Sequence, residues 1–157
     1  MEEAIIHSPV GFIKIEGDIT GIQAITFLEG EHEISKVIPE ILEDVVYQLN
    51  EYFEGNRKAF NVKLNPQGTD FQKQVWNELL NISFSKTRSY LEQTKAIGDV
   101  KAIRAVAAAN GKNPISIIIP CHRVIGSDGS LTGYAGGLWR KKWLLAHENP
   151  VKQTSLF

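Results

Sequence analysis

A chain of 157 residues with one cysteine, 43% hydrophobic residues and a formal net charge of −1 has the balance of an ordinary globular protein. That balance excludes a disordered or disulfide-built chain, and the length allows one good core or two small subdomains sharing one. A lone cysteine rules out an intramolecular disulfide and a cysteine-cluster zinc site, and His7, His32, His122 and His147 lie without ligand spacing, so neither metal nor cofactor is expected.

The net charge hides an asymmetry. Residues 1–65 hold five Lys/Arg and twelve Asp/Glu, a balance of −7, whereas residues 66–157 hold twelve and six, a balance of +6. An acidic half beside a basic one fits a protein of which one half meets phosphates, or simply a solvated surface. Met1-Glu2-Glu3 carries acid where a signal peptide carries base, and no apolar run is long enough to span a bilayer. A free thiol suits a reducing compartment, so a cytoplasmic protein without a membrane partner is expected.

From the N-terminus, Ala4–Phe27 reads as a strand meander. Ile5-Ile6, Phe12–Ile15 and Ile22–Leu28 are β-rich, with turns at Ser8–Gly11 and Glu16–Asp18. Val37–Phe53 is helical, with Ile38, Ile41, Leu42, Val45, Val46, Leu49 and Phe53 as its core stripe, Pro39 in its first turn and Gly55 closing it. Asn61–Pro66 is a short strand or linker, and Gln67-Gly68 marks a boundary. Thr69 then caps a helix whose apolar face is Phe71, Val75, Trp76, Leu79 and Leu80.

Ser89 caps a helix through Ile97, Gly98 turns the chain, and Asp99 caps a second helix from Val100 to about Asn110. Helix, glycine-containing turn, helix is the helix-turn-helix pattern. Ala102, Ala105, Ala107, Ala108 and Ala109 leave the second helix nearly bald around Arg104. It either packs tightly against protein or lies in a DNA groove, and the flanking Lys95, Lys101 and Lys112 favour DNA.

Asn113–Ile119 is an apolar, β-branched run that reads as a buried strand, and Pro120 should stop it. Cys121, His122 and Arg123 follow at its tip. Charge on His122 and Arg123 would favour the thiolate, the reactive form of cysteine; the plain alternative is a small core residue. On a strand these neighbours face opposite sides, so Cys121 and His122 cooperate only if the chain turns after Pro120. Gly126–Ser130 is a hairpin-like loop, and Thr132–Gly137 is glycine-rich enough to cover a pocket. Trp139–His147 is helical, with Leu138, Trp143, Leu144 and Leu145 inward and Arg140, Lys141 and Lys142 outward. The 151–157 tail is expected to be loosely ordered.

Pro120-Cys121-His122-Arg123-Val124 resembles the active-site word of the O6-alkylguanine-DNA alkyltransferases. The likeness extends to Arg104-Ala105-Val106, Asn113-Pro114, Gly133–Leu138 and Trp143–Glu148, and so covers roughly Gly68–Glu148. It implies an α/β (α+β) fold: a supporting strand-meander-plus-helix subdomain, 1–66, and a mostly helical domain, 67–150, carrying the helix-turn-helix and the cysteine. It implies irreversible, single-turnover transfer of an alkyl group from O6-alkylguanine, with O4-alkylthymine as a second candidate substrate, in double-stranded DNA to Cys121, by a monomer.

The same resemblance assigns roles. His122 relays the thiol proton through water and is held by Glu148. Arg104, with Ala105 and Arg123 beside it at the DNA, fills the stack vacated by the flipped base, and Tyr90 works at that base. Val124, Tyr134, Ala135 and Gly136 form the base pocket, with Ser116 and Thr132 lining it, and Asn113 ties the recognition helix to the cysteine segment. Tyr90-Leu91-Glu92 and Phe84-Ser85-Lys86 depart from the family pattern. Rival readings are a non-catalytic alkylguanine-binding relative, against which Cys121 argues, and a helix-turn-helix regulator that senses alkylation through its thiol. A cysteine hydrolase is more distant, because no oxyanion-hole motif accompanies the thiol.

Overall fold

The computed structural model describes residues 1–150; the expectation for 151–157 lies outside the described residues. The fold is mixed α/β, with a small antiparallel sheet in the N-terminal part and helices dominating the C-terminal part. The chain forms two compact units. One comprises Met1–Gln67 with Pro114–Ile118, the other Gly68–Asn113 with the described residues 119–150.

In the first unit, β1 (Glu2–Ser8), β2 (Gly11–Asp18) and β3 (Gly21–Leu28) form a meander in the order β1-β2-β3. Alternation buries Ala4, Ile6, Ile13 and Ile15 on one face. The turn expected at Glu16–Asp18 is instead part of β2, which absorbs Gly17 in a bulge against β3; the chain reverses at Ile19-Thr20. The register explains the miss, since Glu16 and Asp18 pair with Ala24 and Gly21.

The other edge of β3 takes up two later segments. Ile22 exchanges backbone hydrogen bonds with Lys63 and Asn65 (2.8 and 2.7 Å), and Ile25 with Pro114 and Ser116 (2.9 and 3.2 Å). Gly21, at φ +132°, lies so close that an added Cβ would sit 2.9 Å from the Lys63 carbonyl oxygen. Only glycine suits that approach.

Helix α1 (Glu40–Phe53) buries Leu42, Val45, Val46, Leu49 and Tyr52. It begins three residues later than the periodicity predicts. Pro39 is its N-cap, with ψ 139°, and Ile41 stays exposed at the helix start. The expected strand at Asn113–Ile119 does not form. Ile115 makes one bridge to Ile25, and the chain then turns, with Ile117 at φ +74°. A short β-branched run has no periodicity to tell a strand from a buried turn.

In the second unit, α2 (Asp70–Leu79) and α3 (Tyr90–Ile97) each open with a reciprocal capping box, Thr69 with Gln72 and Ser89 with Glu92. Phe71 and Leu80, expected on the apolar face of α2, are exposed; Val75, Trp76 and Leu79 carry the burial. Past Gly98, Asp99 caps a 3-10 turn, Val100–Ala102, which leads into α4 (Ile103–Gly111).

Two polar links fasten this helix-turn-helix. Trp76 Nε1 donates to the Ala109 carbonyl (2.8 Å), and the amides of Gln93 and Asn110 bond reciprocally (2.8 Å each way). With Val106 and Ala109 turned inward, Arg104, Ala105, Ala107 and Ala108 remain exposed. A two-residue strand β4 (Arg88–Ser89) pairs in parallel with β5 (Val124–Ile125), and α5 (Leu138–Glu148) ends the described chain.

The inward face of α5 differs from expectation. Leu144 is buried as predicted, but Leu138 is half exposed, while Arg140 and Lys141 are buried and only Lys142 faces out. Arg140 donates to the Gly136 carbonyl (3.0 Å) and lies over the Trp139 ring. Buried cations of this kind need fixed acceptors, which the 132–137 loop supplies.

Candidate active site

Cys121 sits where the chain bends sharply at Pro120. The Cys121 N–H donates to the Ile119 carbonyl (2.9 Å) and the Arg123 N–H to the Pro120 carbonyl (3.0 Å), so Cys121–Arg123 is a 3-10 turn rather than a strand tip. Asn113, two residues beyond α4, donates from Nδ2 to the Ile119 carbonyl (2.8 Å) and to Cys121 Sγ (3.2 Å). One amide thus ties the end of α4 to the cysteine turn.

His122 turns to the opposite side, fully buried. Its Nε2 lies 2.7 Å from Glu148 Oε2. The same carboxylate accepts from Arg123 Nε (2.8 Å) and Nη2 (3.1 Å), and Arg123 Nη1 donates to the Ile82 carbonyl (2.6 Å). Arg123, expected at the DNA, is placed by the structure as a buried partner of Glu148. Its fork geometry matches the carboxylate, which draws it inward.

These contacts set the protonation states. Burial opposes ionisation of Glu148, yet the hydrogen bonds of His122 and Arg123, with the Arg123 charge, outweigh it and hold the carboxyl well below the usual range. Burial pushes His122 down, against the pull of Glu148, so its imidazole rests neutral at physiological pH. An ionised carboxylate only accepts, so the His122 proton sits on Nε2 and Nδ1 bears a lone pair. Among the described residues, Nδ1 has no hydrogen-bond partner although it is buried.

Burial also pushes the Cys121 thiol up, and the Asn113 hydrogen bond and the Lys141 charge only partly reverse this. Charge on His122 and Arg123 therefore does not create a resting thiolate, contrary to expectation, because one ring is neutral and the other cation is committed to Glu148. The thiol must be deprotonated when it reacts.

The buried thiol borders a cavity of about 510 Å³ lined by Tyr90, Arg104, Asn110, Cys121, Thr132, Tyr134 and Ala135 among others. The fold thus gathers six of the expected residues, Tyr90, Arg104, Cys121, Thr132, Tyr134 and Ala135, at one place. Val124 is wholly buried behind the turn, Gly136 is engaged through its carbonyl by Arg140, and Ala105 is on the exposed face of α4; none of the three lines the cavity. Ser116 does not line it either. That residue belongs to the first unit, hydrogen-bonded to Ile25.

Two lining contacts escaped the sequence reading. The Tyr90 hydroxyl donates to the Thr132 carbonyl (3.0 Å), and Lys141 Nζ donates to the same oxygen (2.9 Å) and to that of Gly133 (3.4 Å). Lys141 stands seven residues before Glu148 and three before Leu144. That spacing places it on their face of the helix and was the available signal. Among the described residues no group of three or more His, Cys, Asp or Glu could hold a metal ion.

Comparison with known proteins accords with this geometry. Residues 1–66 match the family model described as 6-O-methylguanine DNA methyltransferase, ribonuclease-like domain, and residues 70–150 that described as 6-O-methylguanine DNA methyltransferase, DNA binding domain. The chain belongs to the 6-O-methylguanine DNA methyltransferase family.

A relative from Methanosarcina acetivorans named methylated-DNA–protein-cysteine methyltransferase is 48% identical, over 94% of this chain and 98% of its own. The protein of that name from Mycobacterium tuberculosis is 46% identical, over 91% and 89%. Among solved structures, M. tuberculosis OGT in complex with DNA superposes with a TM-score of 0.83 at 44% identity, covering 93% of this chain and 91% of that one. In this family setting, no described helix of the chain is long and apolar enough to cross a membrane.

Proposed function

We propose that this methyltransferase repairs DNA by direct reversal. It takes the alkyl group of O6-alkylguanine, with O4-alkylthymine as a second substrate, from double-stranded DNA onto Cys121, once per molecule. The observation that carries this reading is the convergence of a lone thiol, Tyr90 and Arg104 on one cavity beside an exposed small-residue helix. Its volume falls in the range of about 300–1,000 Å³ typical of small-ligand sites. The DNA-bound state of the M. tuberculosis structure supports DNA as the partner.

An alkylated guanine stacked in a duplex is out of reach of a buried sulfur. The nucleotide must rotate out, at a cost of about a few kcal/mol. The exposed alanines at 105, 107 and 108 allow α4 to approach a groove closely, and Arg104, the long cation among them, fills the vacated stack. The base then enters the cavity between Tyr134 and Ala135 and faces Cys121. Tyr90 exchanges its hydrogen bond to the Thr132 carbonyl for one to the guanine ring.

The chemistry follows from the protonation states. His122 Nδ1, its ring held by ionised Glu148, accepts the thiol proton through a bridging water. The sulfur attacks the alkyl carbon, an S–C bond forms, and the C–O bond breaks with its electron pair left on the base. The leaving base takes a proton from the Tyr90 hydroxyl, and the proton lodged on His122 returns through water to the tyrosinate, so protons and charge balance. A thioether has no leaving group that a residue here could activate, and the protein is spent.

The protein acts as a monomer in the cytoplasm on this reading. The test counts guanines restored per protein molecule on a duplex oligonucleotide carrying O6-methylguanine. Restoration that stops at one equivalent is expected; continued turnover, or none, contradicts it.

A further inference from the structure

Lys141 is fully buried, an unusual state for an ammonium. Its helix neighbour Glu148 could neutralise it but is engaged by Arg123 and His122. Arg140, the other buried cation of α5, is held by the Gly136 carbonyl and the Trp139 ring. Lys141 Nζ instead reaches the Thr132 and Gly133 carbonyls in the cavity wall, 5.8 Å from the centroid of the Tyr90 ring. A buried cation held by neutral dipoles is poised for an anion that arises only during reaction.

The titratable groups around it narrow the choice. Tyr90 faces it from α3, Cys121 and Arg104 line the cavity whose wall it holds, and His122 adjoins Cys121 in the 3-10 turn. His122 rests neutral and Arg104 is a cation. Burial lowers the pKa of Lys141 itself, and Cys121 is the group whose ionisation Lys141 favours and which in turn favours the lysine's charge.

We propose that Lys141 is a positioning residue: its ammonium is the counter-charge of the Cys121 thiolate, and its hydrogen bonds fix the Thr132–Gly133 wall against Tyr90. The proposal deepens the alkyl-transfer reading and rests on it. The lysine stays protonated throughout and exchanges no proton. When His122 takes the thiol proton, the new negative charge appears beside a positive one already in place. The Thr132 carbonyl oxygen couples the two roles, because the Tyr90 hydroxyl and the ammonium share it. Once Tyr90 leaves for the base, Lys141 still holds the wall.

The test is the rate of Cys121 alkylation by iodoacetamide against pH, read by intact mass. It needs no DNA, so its failure is separable from failure of the repair reading. Lys141→Gln keeps donors for the two carbonyls without the charge, Lys141→Arg keeps the charge, and Lys141→Met removes both. Loss of a neighbouring positive charge raises a thiol's pKa, so K141Q and K141M should react about tenfold slower at neutral pH. They should converge on the parent as pH rises, and K141R should stay within about threefold of it. A profile for K141Q that superposes on the parent, or is lowered equally at every pH, overturns the counter-charge role. Should K141M fail to fold, K141Q and K141R carry the same comparison.

Discussion

His122 Nε2 and Glu148 Oε2 lie 2.7 Å apart in the interior, and both Glu148 oxygens also accept from Arg123. The arrangement has a direction. A permanent cation keeps the carboxylate ionised, the carboxylate fixes the imidazole tautomer, and the tautomer leaves Nδ1 with the lone pair that can take a proton. On the proposed route, reactivity at Cys121 depends on charges that never touch the sulfur.

Replacing Glu148 by Gln strands the Arg123 guanidinium without an anion. Removing one partner of a buried ion pair costs about 3–5 kcal/mol, so E148Q should show that loss in urea denaturation. Cys121 alkyl transfer should also slow, because an amide can present a donor to Nε2 and so shift the ring proton to Nδ1. Unchanged stability would mean that Arg123 finds another acceptor.

Acid should destabilise the protein in two stages. His122 titrates lower in the fold than in the unfolded chain, so the unfolded state binds the extra proton and stability falls as pH drops below about 6.5. Glu148 is held ionised in the fold, so a second loss begins below about 4.3, the unfolded carboxylate value, and continues into stronger acid. Unfolding free energies at pH 8, 6, 5 and 4 check this. In H122Q the decline between pH 7 and pH 5 should be reduced, and an undiminished decline would assign it elsewhere.

The Gln93–Asn110 pair is buried and reciprocal. Gln93→Leu alone leaves the Asn110 amide unsatisfied and should cost about 1–3 kcal/mol, whereas Gln93→Leu with Asn110→Met replaces both polar groups and should recover most of it. A double-mutant cycle by thermal or urea denaturation gives the coupling. Additive losses would contradict a shared bond.

Arg104 is exposed on α4 and borders the cavity. Arg104→Ala should leave stability within about 0.5 kcal/mol. It should slow transfer from duplex DNA by about tenfold or more while sparing the free O6-methylguanine base, since only a duplex has a stack to fill. Equal effects on the two substrates would remove the stack-filling role.

Much of this was legible in the chain because it is local. The capping boxes at Thr69 and Ser89, the alternation in β1 and β2, and the stripe of α1 each depend on neighbours within one or two turns. The cysteine word and the Arg104 helix stood out for the same reason, and the cavity gathers them. What stayed hidden depends on partners far along the chain. Arg123 goes inward because Glu148 and the Ile82 carbonyl await it, and Lys141 because the 132–133 carbonyls do. Ile115–Ile119 looks like a strand by composition, yet its pairing with β3 is a single bridge at Ile115 with the Ser116 hydrogen bond beside it.

The account stands on the sulfur of Cys121 as the final acceptor. Its most direct test incubates the protein with excess duplex oligonucleotide carrying O6-methylguanine and follows it by intact mass and peptide mapping. One methyl group per chain, located on the Cys121 peptide and absent from Cys121→Ala, is the predicted result. Methyl transfer that survives in Cys121→Ala, or maps to another residue, would contradict it.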